Sequence, residues 1–337
     1  NHILRHFENA IRMGKISHAY IINGEEGSGK MNLAIHFAKA LQCERNNSNK
    51  AINEDGERIT VPGTACGQCK SCKQTDSKNQ PDIKYITYEK SGIGVDEIRE
   101  QINDDIDIKP YSSPYKIYIV PESEKMTVQA QNALLKTIEE PPEYAIIILL
   151  TTNADTFLQT ILSRCVMLNI RPVKEDIIKN QLTSQYGVGD YEARVAATFS
   201  NGNPGKAIKL ATSEEFKELK QYVVGMFMSL EKGGMDIIGE AIKKTGTFKK
   251  QIDEYFSLMR IWFRDILVYK ATKEEDQIIF QDEYMTIEKM SQTYSFDDIN
   301  DILKAIDLAE SRIKSNVNFD STIEILLLSI KEKTSGK

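Results

Sequence analysis

The chain has 337 residues, 41% apolar and 27% charged, with a formal net charge of −6. That length exceeds what one ordinary core holds, so two or three domains are expected, and the composition is that of a soluble globular protein. The acidic balance excludes a general phosphate binder: any contact with nucleic acid has to be local or shared with more basic partners.

The first part alternates strand and helix. "HAYIING" (18–24) reads as a short apolar strand running into a glycine loop, and "KMNLAIHFAKALQ" (30–42) has helical spacing through Leu33, Phe37, Ala40 and Leu41. A polar, turn-rich insert follows and carries most of the cysteines. "DIKYITY" (82–88), "KIYIV" (116–120), "AIIILLTT" (145–152) and "VMLNI" (166–170) read as further strands, several apolar on both faces as buried parallel strands tend to be. Between them, "GVDEIREQINDDI" (94–106) and "TVQAQNALLKTIEE" (127–140) read as helices, the second stopped by Pro141–Pro142. The alternation predicts an α/β fold with a doubly wound parallel sheet and its ligand at the strand C-terminal ends. Past Pro172 the strand signal stops. Residues 173–212 fit a small helical unit and 213–337 a larger all-helical one, with a helix-to-helix turn at "EKGGMD" (231–236).

The stretch "GEEGSGKM" (24–31) has the spacing of a phosphate-binding loop, with Gly24, Gly27, Gly29 and Lys30 in place between a strand and a helix. Loop amides, the following helix N-terminus and the Lys30 charge favour a polyphosphate. The position after the lysine needs a hydroxyl to hold Mg²⁺, and Met31 stands there. The metal-positioning acid expected after "KIYIV" is replaced by Pro121; Glu122 remains able to polarise a water, and Glu124 follows one turn on. Binding and hydrolysis thus separate, with ATP binding compatible with the loop and turnover not expected.

Four of the five cysteines, Cys43, Cys66, Cys69 and Cys72, form C-x22-C-x2-C-x2-C, a module of about residues 43–79. C-x2-C turns bring two thiolates to one ion and a fourth closes a tetrahedral Zn²⁺ site with no open position, which favours a structural role. Thiol redox chemistry is the rival, because C-x-x-C also occurs in oxidoreductases. The cluster suits a reducing compartment; with no membrane-length apolar run and no cleavable signal pattern, a cytoplasmic protein is expected. The missing initiator Met implies that a short N-terminal segment precedes the first residue.

With "ISHAYIINGEEGSGK" (16–30), the cysteine cluster, "GVDEIRE" (94–100), "NALLKTIEEPPEYAIIILLTTN" (132–153), "ILSRC" (161–165) and "NVNFDSTIEILLLSI" (316–330) in view, the chain resembles the delta-prime type of bacterial DNA polymerase III clamp-loader subunit, within the AAA+ family. The resemblance spans nearly the whole chain. It implies an AAA+ core at 1–172, a small helical lid at 173–212 and an all-α collar at 213–337. It also implies a hetero-pentamer with motor (gamma/tau) and delta subunits, weak or indirect contact with the sliding clamp and primed DNA, and work in DNA replication. Motor subunits of the family hydrolyse ATP, and their lid supplies an arginine where "GNPGKA" (202–207) has Gly205. Delta-prime subunits do not hydrolyse ATP; they lend a serine–arginine–cysteine motif to the neighbour's nucleotide, here Ser163, Arg164 and Cys165.

Such a trans arginine stabilises charge on the transferred phosphoryl group and is worth about 10³–10⁵ in rate. On residue chemistry alone, Arg164 reads more readily as a surface salt bridge, and the family resemblance reverses that order. Thr152 and Asn153 end a strand where the family keeps a polar γ-phosphate sensor, and here they also suit structural hydrogen bonding. Arg99 is a candidate for a DNA phosphate contact, or for an intrahelical pair with Glu100 or Asp96. Two other functions compete: an active AAA+ motor using Glu122 and an unconventional metal ligand, and a zinc-dependent nucleic-acid-binding module.

Overall fold

A computed structural model of the chain describes residues 2–47, 62–89, 91–232 and 236–335. It divides into two units, 1–172 and 173–337.

The first unit is built on five parallel strands: β1 (Ala19–Asn23), β2 (Ile83–Tyr85), β3 (Lys116–Val120), β4 (Ala145–Thr151) and β5 (Val166–Asn169), in the order β2-β3-β4-β1-β5. Every residue of β3 and β4 is buried, as is required of strands covered on both faces. The two-residue side-chain period divides them between two cores. Tyr20, Ile22, Ile117, Ile119, Ile146 and Ile148 meet helices α1 (His2–Met13) and α2 (Lys30–Gln42). Ile21, Tyr118, Val120, Ile147 and Leu149 face the opposite layer. The short helices α3 (Glu44–Asn47) and α4 (Lys70–Asp76) flank the cysteine insert, of which residues 48–61 lie outside the described residues.

The opposite layer departs from the expected single helix at 94–106. It runs as α5 (Val95–Ile98), a π-helical turn (Arg99–Asn103) and α6 (Asp104–Ile106). Ile98, Ile102 and Ile106 are all buried at a strict four-residue spacing, which drifts by about 40° per step on a 3.6-residue helix. One wider turn takes up that drift and keeps the three side chains on the sheet. Helix α7 (Val128–Glu139) completes this layer, capped by Thr127, whose hydroxyl accepts from the Ala130 amide.

The stretch "ADTFLQTILSR" (154–164) is not one continuous helix either. A 3₁₀ turn at Ala154–Thr156 is followed by extended Phe157 and Leu158, and only then by α8 (Gln159–Leu162). The cause is Gln131 of α7, buried, whose amide donates to Thr156 O and whose oxygen accepts from Leu158 N at 2.8 Å. That tertiary bond satisfies the backbone in place of a helical ladder.

The second unit is all helical: α9 (Glu175–Tyr186), α10 (Asp190–Phe199), α11 (Pro204–Thr212), α12 (Glu214–Lys232), α13 (Asp236–Gly246), α14 (Ile252–Thr272), α15 (Tyr284–Thr293), α16 (Phe296–Lys314) and α17 (Phe319–Ser335). The turn expected at 231–236 lies, over 233–235, outside the described residues. One apolar core runs from Ile178 to Ile330 and centres on α14, where Tyr255, Phe256, Trp262 and Phe263 are buried. No helix among the described residues is long and apolar enough to cross a membrane.

Candidate nucleotide loop, cysteine centre and edge arginine

All the strand C-termini of a parallel sheet point the same way, so the β1–α2 loop and the segments after β3 and β4 share one rim. Gly27 (φ +79°) and Gly29 (φ +90°) take the left-handed conformation in the loop, the second as the N-cap of α2. Gly24 is demanded by space, because a Cβ there would lie 3.0 Å from the Ile170 side chain. The Lys30 ammonium turns back onto its own loop and donates to the carbonyls of Gly24 and Glu25. Burial holds it below the usual lysine range, against the opposing pull of Glu124, Glu26 and Glu25. Met31 packs on the apolar cluster beneath the sheet.

The two acids after β3 have separate partners. Glu122 sits in the left-handed region (φ +45°), an uncommon conformation for a side chain of its size. It is held there by Tyr88 Oη–H and by Lys125 Nζ at 2.8 Å. Glu124 instead accepts from Thr152 N (3.2 Å) and Thr152 Oγ1 (2.8 Å), and it is this carboxylate whose field reaches Lys30. Of the two acids after β3, Glu124 is the one whose charge bears on Lys30, together with Glu26 and Glu25 of the loop. Asn153 caps the 3₁₀ turn by accepting from Asp155 N, so both sensor-position residues have hydrogen-bond partners within the first unit.

Cys43 ends α2, and Cys69 is the N-cap of α4. The four Sγ atoms of Cys43, Cys66, Cys69 and Cys72 lie within 4.8 Å of one another, against an edge of about 3.8 Å for a tetrahedron with Zn–S of about 2.3 Å. Backbone amides aim at the sulfurs: Cys66 N at Cys43 Sγ, Cys69 N at Cys66 Sγ and Cys72 N at Cys69 Sγ, each at 3.4 Å. Amide bonds from Gln68 and Cys69 pull the Cys66 thiol down to about 6, whereas burial pushes Cys72 up to about 12. Amides aimed at sulfur favour thiolates, and the four thiols are placed to hold one metal ion. Cys165 is apart from this group, half-buried against the α7 layer, where burial pushes its thiol up to about 12.

Arg164 lies between α8 and β5, the edge strand next to β1. Its Nη1 donates to Thr160 O (3.0 Å) and Ser163 Oγ (3.2 Å), and its Nη2 pairs with Glu139 Oε1 at 2.9 Å. The sequence pattern marked Glu139 only as the end of a core helix; Arg164 follows it 25 positions later, so no local spacing signals the pair. Arg99 is exposed on the π-helical turn and pairs with neither Asp96 nor Glu100. Gly205 lies in α11 of the second unit, whose N-cap is Asn203.

A parallel α/β sheet with a phosphate-type loop at its rim, followed by an all-helical unit, defines a P-loop protein of the AAA+ type. The family profile described as "DNA polymerase III, delta subunit" matches residues 1–174, and its C-terminal counterpart matches 239–332. The chain is 26% identical over 334 residues to DNA polymerase III subunit delta' of Bacillus subtilis, covering 98% of this chain and 95% of that one. It is 33% identical to the tau subunit of the same organism over 62% of this chain but only 35% of tau. Among solved structures, a gamma-subunit-related protein of Thermotoga maritima aligns over 98% of this chain and 99% of its own, with 22% identity and a TM-score of 0.41. The chain belongs to the DNA polymerase III delta-subunit family, as a clamp-loader subunit of the delta', tau or gamma type.

Proposed function

We propose that this chain is the delta-prime subunit of a clamp loader, a member that does not hydrolyse ATP itself and instead supplies Arg164 to the nucleotide of an adjacent motor subunit. The observation that carries the reading is the contrast between two cations. Lys30 is turned inward onto its own loop carbonyls, beside a position where Met31 offers no metal ligand. Arg164 is 40% exposed at the sheet edge, with Ser163 anchoring its guanidinium. Cys165 packs the turn from behind.

In this reading Cys43, Cys66, Cys69 and Cys72 hold a structural Zn²⁺, which closes the insert after α2. Residues 173–212 act as the lid and 213–337 as the collar that joins motor (gamma/tau) and delta subunits in a hetero-pentamer. Arg99, exposed and unpaired by its helical neighbours, meets a phosphate of primed DNA in the cytoplasm. The loop retains the means to bind ATP or ADP without a metal ion. Thr152, bonded to Glu124, positions that acid rather than sensing a γ-phosphate. The rival reading, a hydrolysing motor subunit, rests on the intact glycines and Lys30.

Two measurements separate them. The isolated chain is expected to show negligible ATPase activity, and Arg164→Ala is expected to lower the ATPase of the reconstituted loader by at least about 10³ at the dependent site. Steady hydrolysis by the isolated chain that Lys30→Ala abolishes would establish the motor instead. A mutant complex with normal turnover would remove the trans role.

A further inference from the structure

We propose that Glu139 is a latch on the trans arginine: in the free chain its carboxylate holds Arg164, and a neighbour's phosphate has to displace it. The inference rests on the trans-arginine reading and adds a residue that the reading does not contain.

The guanidinium is divided between two kinds of contact. Nη1 is anchored to its own turn, on Thr160 O and Ser163 Oγ, and these bonds hold whichever anion occupies the other nitrogen. Nη2 faces Glu139 Oε1 at 2.9 Å. Carboxylate and phosphate oxygens compete for the same planar donor fork, so one Arg164 nitrogen cannot serve both fully.

Glu139 is the last residue of α7 and Glu140 its C-cap. A carboxylate is unfavourable at the negative end of a helix dipole, and a cation there relieves it. Arg164 is that cation, which gives Glu139 a reason to attract it. The pair is also weak enough to exchange. Arg164 is 40% and Glu139 45% exposed, the regime in which ion pairs are screened by salt and contribute little. A buried pair would lock the arginine permanently. An exposed one keeps it neutralised and in place until a more highly charged group arrives, and keeps it off other anions meanwhile.

The test uses the loader reconstituted from this chain with its motor and delta subunits. Glu139→Gln keeps size and hydrogen bonding but removes the charge, and is expected to raise ATPase activity by about two- to fivefold at low salt. The gain is expected to shrink as salt rises. Arg164→Ala, run in parallel, reads the arginine itself. A faster Glu139→Gln complex beside a silenced Arg164→Ala complex supports the latch. A Glu139→Gln rate at or below wild type, beside a silenced Arg164→Ala complex, overturns the latch and leaves the trans arginine standing. An unchanged Arg164→Ala rate overturns both. Melting of the isolated variants guards against misfolding: midpoints near wild type are expected, because the exposed pair contributes little to stability.

Discussion

Asp265 of α14 is fully buried, and its two oxygens do different work. Oδ2 accepts from the amides of Ile279 and Phe280, each at 2.8 Å, while Oδ1 accepts from Arg264 Nη1 at 2.7 Å. Asp265→Ala orphans two buried amides, each costing about 1–3 kcal/mol, so the substitution should destabilise by about 2–5 kcal/mol. Arg264 adds little to that loss because it is 45% exposed and returns to water. Asp265→Asn can place its single carbonyl oxygen on both amides, but its NH2 then faces the Arg264 donor, which has to turn out to water and leaves that NH2 unpaired, so it should cost about 1–3 kcal/mol, less than the Ala variant. The sequence contains a single tryptophan, Trp262, three residues before Asp265 and buried in the same core. Its fluorescence during denaturation therefore follows the second unit alone, which avoids treating a two-unit chain as one transition. The Ala variant should lower the Trp262 midpoint by roughly 5–15 °C. Equal losses in the Ala and Asn variants, or an Ala loss under about 1 kcal/mol, would refute the division of labour between the oxygens.

Two further outcomes bear on the first unit. A strong chelator is expected to release about one Zn²⁺ per chain and to lower helix content around α4 with the Trp262 transition unmoved; recovery of no metal from the purified chain would defeat the zinc assignment. The Asp105 carboxyl is pushed up by burial, but hydrogen bonds from Lys116 and Tyr118 and the charges of Lys116 and Lys84 outweigh that and hold it below the ordinary carboxylate range. Its contribution to stability is thus complete above pH of about 3.9 and is lost as pH falls through the lower folded value. Asp105→Asn should lower neutral-pH stability and flatten the acid limb of the denaturation curve; an unchanged acid limb would show that the pair does not control it.

The strands were readable because burial on both faces leaves apolar runs such as "AIIILLTT" that few other elements produce. The cysteine cluster was readable because metal ligation fixes spacing. What escaped were arrangements made by residues distant in sequence. Gln131 breaks the helix before Arg164 from across the layer. Tyr88 engages Glu122 from the far side of strand β3 in the sequence. The π-helical turn was hinted at by the four-residue spacing of Ile98, Ile102 and Ile106, but that spacing fits an ordinary amphipathic helix nearly as well. In each case periodicity reports which face is buried, while the partner of a polar group depends on tertiary placement.

The strand-end acids give that placement a functional meaning. A hydrolysing P-loop site needs a carboxylate that acts on a metal-bound water, with the loop lysine free to meet phosphate. In this chain Glu122 is bonded to a lysine and a tyrosine, and Glu124 is committed to Thr152 while its field bears on Lys30. The acids at the rim therefore stabilise the loop in its own closed hydrogen-bonding pattern. A phosphate entering it would exchange the lysine–carbonyl bonds for its own, and neither Met31 nor Pro121 offers a side-chain oxygen to recruit a metal ion beside it. Arg164 meets the opposite conditions. Among the described residues its acidic partner is Glu139, itself 45% exposed, its Nη1 bonds stay within its own turn, and it stands beside the edge strand β5.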